Sequence, residues 1–335
     1  GKHLNKIKVL SKKLNKKVTL MEICGGHTNV IMKYGIRDIL PPNVNLISGP
    51  GCPVCVSAQY DIDCIIGLAR DNVPIATYGD MLKVPGSKYN LEEIKAKGAK
   101  VFEIYSTTEV LKLKEKNQDI VFFGIGFETT APMTTFLLEN KVDVYSVHKL
   151  VPPAMQALVS GEVKIDGFID PGHVSTIIGV EPYNKIKVPQ VIAGFTPERI
   201  LRAISVLLEL IHKGKNRVIN GYPEAVKPNG NIKAKKRLEK YFSPVDSEWR
   251  GLGMIPDSGL EVKNDKLNAK KKFKNIIDKV PQPEKTACRC GEILKGLIEP
   301  NECPLYKKIC TPENPQGACM VSKEGSCAIS YKYGK

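Results

Sequence analysis

The chemistry-bearing residues of this 335-residue chain are its ten cysteines, and their placement is uneven. Four lie between Cys24 and Cys64, six between Cys288 and Cys327, and none in the long stretch between. Disulfides would explain such numbers in a small secreted chain; at this length metal or redox chemistry is the expectation. Cys24-Gly-Gly-His27-Thr28 reads as a strand end turning into a helix. The glycines permit a tight turn, and a helix N-terminus beside the sulfur is expected to lower its pKa toward thiolate. His27 is then a ligand or proton donor, and Thr28 a donor to a bound anion. A buried cysteine beside a satisfied histidine is the plainer alternative.

Cys52-Pro-Val-Cys55 is a C-x-x-C on a Gly49-Pro-Gly51 turn, a spacing that suits a dithiol/disulfide couple or half of a zinc site. Completing zinc would fall to Cys24, His27 or Cys64, so the redox couple is expected. Cys64 sits among Ile62, Ile65, Ile66 and Leu68 and reads as core. The C-terminal thiols are Cys288, Cys290, Cys303, Cys310, Cys319 and Cys327. Such density, with Cys303-Pro304 and few other strong ligands, fits an iron–sulfur cluster on four thiolates with two left over. Zinc is the alternative, but the paired knuckles of structural zinc sites are absent.

The elements that must position these groups are short apolar runs alternating with helical patterns. Candidate strands are Val18–Ile23, Val44–Ile47, Val73–Tyr78, Val101–Tyr105, Ile120–Ile125, Val142–Val147, Ile165–Ile169 and Pro189–Ile192. Their continuous apolarity predicts strands covered on both faces, and the alternation predicts parallel sheet. Eight units could close into a barrel. A shorter step between the fourth and fifth strands favours two four-strand α/β lobes, residues 1–110 and 111–214. Beyond Gly214 the pattern dissolves, and residues 215–335 read as a smaller domain held largely by metal. Loops at the carboxyl ends of the strands should share one edge. They bring Glu128, Thr129, His148 and His173 into the same neighbourhood as the N-terminal thiols.

The net charge of +15 raises a nucleic-acid reading, but only eight of the 50 basic residues are arginines and the lysine runs carry no interleaved aromatics. A solvated, lysine-rich surface is expected instead, with no nucleic-acid partner. No apolar run reaches the roughly 20 residues of a membrane span. The opening Gly1–Lys17 lacks an apolar run and cleavage site, so a cytoplasmic protein is expected.

Taken together, the motifs resemble the hydrogenase maturation protein HypD family, the scaffold on which the Fe(CN)2CO unit of nickel–iron hydrogenases is built. The matching stretches are Met21-Glu-Ile-Cys-Gly-Gly-His-Thr28, Ser48-Gly-Pro-Gly-Cys-Pro-Val-Cys-Val56, Gly126-Phe-Glu-Thr-Thr-Ala-Pro132, Pro171-Gly-His-Val-Ser-Thr176 and Trp249-Arg-Gly-Leu-Gly253. The resemblance implies a 4Fe-4S cluster on Cys288, Cys303, Cys310 and Cys327, with Cys290 and Cys319 as a redox pair beside it. It implies that Cys24 carries iron shared with a small chaperone, HypC, and that Cys52 and Cys55 form a second redox pair. Cyanide would come as a thiocyanate on HypE, with HypF upstream. His27, Thr28, Glu128 and His173 are then expected to steady cyanide nitrogens or move protons. The resemblance thus implies an assembly scaffold with redox activity rather than a free-standing turnover enzyme. The competing reading, a ferredoxin-dependent disulfide reductase-like iron–sulfur enzyme, leaves Cys24 and His27 idle.

Overall fold

The structure is a computed structural model and describes residues 1–334. All eight expected strands form, followed by three more. They are β1 (Val18–Glu22), β2 (Val44–Ser48), β3 (Ile75–Tyr78), β4 (Val101–Ile104), β5 (Val121–Gly126), β6 (Asp143–His148), β7 (Gly167–Pro171), β8 (Gln190–Ala193), β9 (Val218–Asn220), β10 (Phe242–Trp249) and β11 (Gly253–Val262). The class is α/β, with two parallel sheets rather than a closed barrel. One runs β2-β1-β7-β8-β9 and the other β4-β3-β5-β6, while β10 and β11 form an antiparallel hairpin. Every residue of β5, β6, β7 and β8 is buried, as continuous apolar runs covered on both faces should be.

The expected division at residues 110 and 214 does not describe how these strands group. Strand β1 pairs with β2 and also with β7, so the five-strand sheet closes around a four-strand unit inserted between β2 and β7. Repeating strand–helix units of similar length carry no mark of which neighbour they will pair with. Parts of residues 215–335 join the two sheets. Strand β9 extends the five-strand sheet, and the hairpin lies on the four-strand one. Leu150 N–H donates to Ser258 O (2.8 Å), and the Ser146 hydroxyl donates to Leu260 O (2.6 Å).

The apolar core lies in three layers. Beneath the outer face of the five-strand sheet, helices Lys2–Leu14 and Pro197–His212 bury Ile7, Leu10, Ile200, Ile204, Leu207 and Leu208. The second helix starts where Thr196 accepts the Arg199 N–H, and its apolar positions recur every three or four residues. The hairpin contributes Phe242, Leu260 and Val262 to the outer layer of the other sheet. Between the sheets lies the largest layer, into which the C-terminal cysteines pack. No helix among the described residues is long and apolar enough to cross a membrane.

Candidate thiol and metal centre

Cys24 ends the run of β1 and is the N-cap of helix Gly25–Lys33, in extended conformation. Its N–H donates to Glu22 Oε2 at 2.9 Å, and Glu22 also accepts from the Thr28 hydroxyl. Glu22 is fully buried and its pKa is raised, chiefly by burial; contacts to Ser48, Thr28 and Cys24 and the nearby Arg37 oppose this. The Thr28 hydroxyl is thus committed to Glu22 and to Cys24 O rather than free for an anion.

The expected lowering of the Cys24 pKa does not hold. Burial pushes the thiol up to about 12, helped by the charges of Glu22 and Glu324. Backbone N–H groups of His27 and Gly26 do reach the sulfur, as a helix start provides, but they are outweighed. A proton held this firmly must be displaced by whatever metal the sulfur takes.

His27 is buried, and its ring stacks on Phe195 with centroids 4.9 Å apart. Its Nε2 lies 3.1 Å from Ala193 O, and that contact assigns the proton to Nε2. Nδ1 is left buried without a partner. Burial lowers the His27 pKa to about 4, so the ring is neutral. His173 stacks on the same Phe195 at 4.1 Å and is exposed. The two expected histidines therefore meet through one aromatic ring.

Gly51 places the second thiol loop directly on the first. A Cβ there would stand 2.3 Å from Cys24 N, so only glycine allows this approach. Cys52 caps the short helix Pro53–Val56 and accepts the Cys55 N–H at 3.3 Å. Both thiols are buried, and Cys55 Sγ lies 3.9 Å from Ala318 O. The Cys55 pKa is pushed well up by burial, by Cys52 and by Cys327. Cys64 is core, as expected, with its pKa raised to about 11 mainly by burial.

Short helices Cys290–Leu294, Ala318–Val321 and Ser326–Tyr333 hold Cys290, Cys319 and Cys327, while Cys288, Cys303 and Cys310 lie in the irregular segments between elements. Cys290 is bonded to Cys319, with Cα atoms 6.3 Å apart. The remaining four lie within electrostatic reach of one another. The Cys327 thiol is raised by burial and then by Cys288, Cys310 and Cys303, while Cys288 feels Cys303 and Cys310. Four cysteine thiols gathered in one segment, each a soft donor once its proton leaves, are the donor set a thiolate-bound centre requires. No three His, Cys, Asp or Glu groups among the described residues are set to hold a single metal ion.

Glu128 stands further off, at the end of β5. Oε1 accepts the Val151 N–H (3.0 Å), while Oε2 is buried without a partner. Burial raises its pKa to about 7. It lines an open apolar cleft of about 730 Å³ with Pro152, Ile178, Phe242 and Ile255. His148 does not join the site. Its ring nitrogens are met by Thr134 (3.1 Å) and Ser146 (3.0 Å), and it is a neutral core residue whose pKa burial lowers to about 3.

Three buried polar residues escaped the sequence reading. Glu22 is one. Asp170 has no partner for either carboxyl oxygen, and burial raises its pKa strongly. Tyr183 is fully buried, bonded to Ser175 at 2.9 Å, and within electrostatic reach of Asp170, Glu128 and Cys24. The available signal was a carboxylate inside an otherwise apolar strand, as in Met21-Glu-Ile23 and Phe168-Ile-Asp170.

Fold and site together define an α/β scaffold that brings an N-terminal thiol, a C-x-x-C pair and a cysteine-rich C-terminal segment to one locus. Residues 1–334 match the family described as HypD, hydrogenase formation hypA family. A putative hydrogenase expression/formation protein of Methanocaldococcus jannaschii is 42% identical over 99% of this chain and 96% of its own length. Hydrogenase maturation factors HypD of Azotobacter vinelandii and Cupriavidus necator are 43% and 40% identical, over 94% of this chain and 89% of theirs. The chain belongs to the HypD family of hydrogenase formation proteins.

Proposed function

We propose that this chain is the redox-active scaffold for assembling the Fe(CN)2CO unit, with the iron held by Cys24 and shared with a HypC-like chaperone. The supporting observation is the meeting of three thiol sets from distant parts of the chain. Gly51 abuts Cys24, Cys55 abuts Ala318 beside Cys319, and Cys327 is within reach of Cys55. Soft thiolate suits iron whose other positions carry cyanide and CO. The neutral His27, with Nδ1 free, is a proton acceptor there, and His173 is its solvent-side counterpart.

Cys288, Cys303, Cys310 and Cys327 would hold a 4Fe-4S cluster, which supplies one-electron transfer when bound. Release of cyanide from a thiocyanate on a HypE-like partner takes two electrons and yields thiolate and cyanide. Oxidation of the Cys52–Cys55 dithiol to a disulfide provides two electrons and two protons. A disulfide reductase acting on outside substrates would need a reachable thiol, and Cys52 and Cys55 are 2% and 0% exposed.

The test is complementation of a host lacking its own HypD. Wild-type chain should restore hydrogenase activity and Cys24→Ser should not. Equal restoration by both would contradict the assignment of iron to Cys24.

A further inference from the structure

Arg250 follows the buried Trp249 in the turn of the β10–β11 hairpin, and its backbone is stapled to the segment after Cys55. Its N–H donates to Val56 O at 2.9 Å. Its Nε donates to Ser57 O at 2.9 Å and Nη1 to Gln59 Oε1 at 2.7 Å. Both side-chain acceptors are neutral, so neither cancels the charge. Nη2 is buried and has no partner.

The next residue reaches the other thiol group. Gly251 has φ +78°, and a Cβ there would stand 2.1 Å from the Cα of Gly291, the neighbour of Cys290. Arg250 is thus pinned between the C-x-x-C loop on one side and the start of the C-terminal cysteine segment on the other. Its guanidinium lies within electrostatic reach of Cys288 and Cys55, and to a lesser degree of the Asp63 and Glu248 carboxylates, neither of which it touches.

A guanidinium without a carboxylate contact and with a spare donor is costly to bury. It is explained where negative charge gathers. Four thiolates around an iron–sulfur cluster supply such charge, and adding an electron increases it. We propose that Arg250 is a positioning residue that raises the reduction potential of the C-terminal cluster, its fixed charge and free Nη2–H favouring the one-electron-reduced form. This rests on the reading of Cys288, Cys303, Cys310 and Cys327 as cluster ligands. Hydrogen bonds to sulfur and local net charge are the levers that set such potentials. A purely structural arginine, tying the hairpin turn to Ser57 and Gln59, would hold the fold but leave the potential unmoved.

The experiment is a dithionite titration of the anaerobic full-length protein, followed by electron paramagnetic resonance, with iron and sulfide assayed in each sample. Arg250→Gln should keep the cluster while its reduction equilibrium becomes at least tenfold less favourable, a fall of about 59 mV for one electron. Arg250→Lys, which keeps the charge, should fall by well under half of that. Equal potentials in wild type and Arg250→Gln would overturn the proposal, as would an equal fall in Arg250→Lys. Loss of the cluster from both variants would also overturn it, making the side chain part of the fold. A wild-type protein without iron and sulfide would instead remove the cluster reading itself.

Discussion

Glu128 and the N-terminal thiols show how burial, more than residue type, decides what each group does. The Glu128 carboxyl moves from an ordinary value of 4.5 to about 7 because it is enclosed and only one oxygen is bonded. A folded-state pKa above the unfolded one means that stability is full below about 4.5 and is lost as pH rises through about 7. The loss attributable to this group is about 3 kcal/mol. Glu128→Gln should flatten that part of the profile, measured as the wild-type minus variant difference in urea unfolding between acid and neutral pH. Profiles of equal slope would show that the carboxyl is not desolvated. The enclosed Cys52 and Cys55 carry a related expectation. Native protein should exchange these thiols internally and react slowly with iodoacetamide, while mass mapping after denaturation should show a dithiol in reductant and a disulfide after mild oxidation. A pair that remains a dithiol under oxidant would remove the redox role.

At the scale of elements, two kinds of stability are separable. Leu207 is fully buried in helix Pro197–His212 and packs above Gly167 of β7. Leu207→Ala should cost about 2–5 kcal/mol by urea denaturation. Visible absorption of the cluster should survive in whatever protein remains folded. The C-terminal segment has only short helices and turns, so a cluster bound there, as proposed, would supply folding energy. Cys303→Ala should bleach the protein and make residues beyond about 286 accessible to protease. Unchanged iron, sulfide and spectrum in that variant would refute the ligand assignment. The strands were legible because eight apolar runs, each bounded by turn residues, leave little else for the chain to do. The hairpin was not. Pro244, Asp246, Ser247 and Glu248 interrupt β10, and its buried ends, Phe242 and Trp249, are too far apart to suggest a strand.

Across the whole molecule, the motifs were easier to read than the connections. The C-x-x-C, the Cys24 turn and the C-terminal thiols announce themselves by residue type and spacing. That β1 pairs with β7 depends on contacts across 147 residues, and nothing local encodes it. The buried Glu22 and Asp170 were hidden for the same reason: a polar residue in an apolar strand becomes informative only when its partners can be counted, and Tyr183 lies in the short helix Glu181–Lys185. Arg250 gains its meaning from two segments, near Cys55 and near Cys290, that meet only in the fold. This topology sets Cys24 against the C-x-x-C loop at Gly51 and its neighbour Gly25 against Glu324 of the C-terminal segment, where the proposed iron unit would meet its sulfur.

Infrared spectroscopy of the protein purified anaerobically with a HypC-like chaperone tests whether the Cys24 sulfur holds the iron unit, because iron-bound CO and cyanide absorb clear of protein bands. Wild-type complex should show both sets of bands. Cys24→Ser should lose them while keeping the visible cluster absorption, since oxygen is a harder and weaker donor to such iron. The substitution is small and sits at a loop-to-helix junction, so stability should change by under about 1 kcal/mol. Bands retained at wild-type intensity in Cys24→Ser would contradict the account and move the iron to another thiol, with Cys52 or Cys55 next in line.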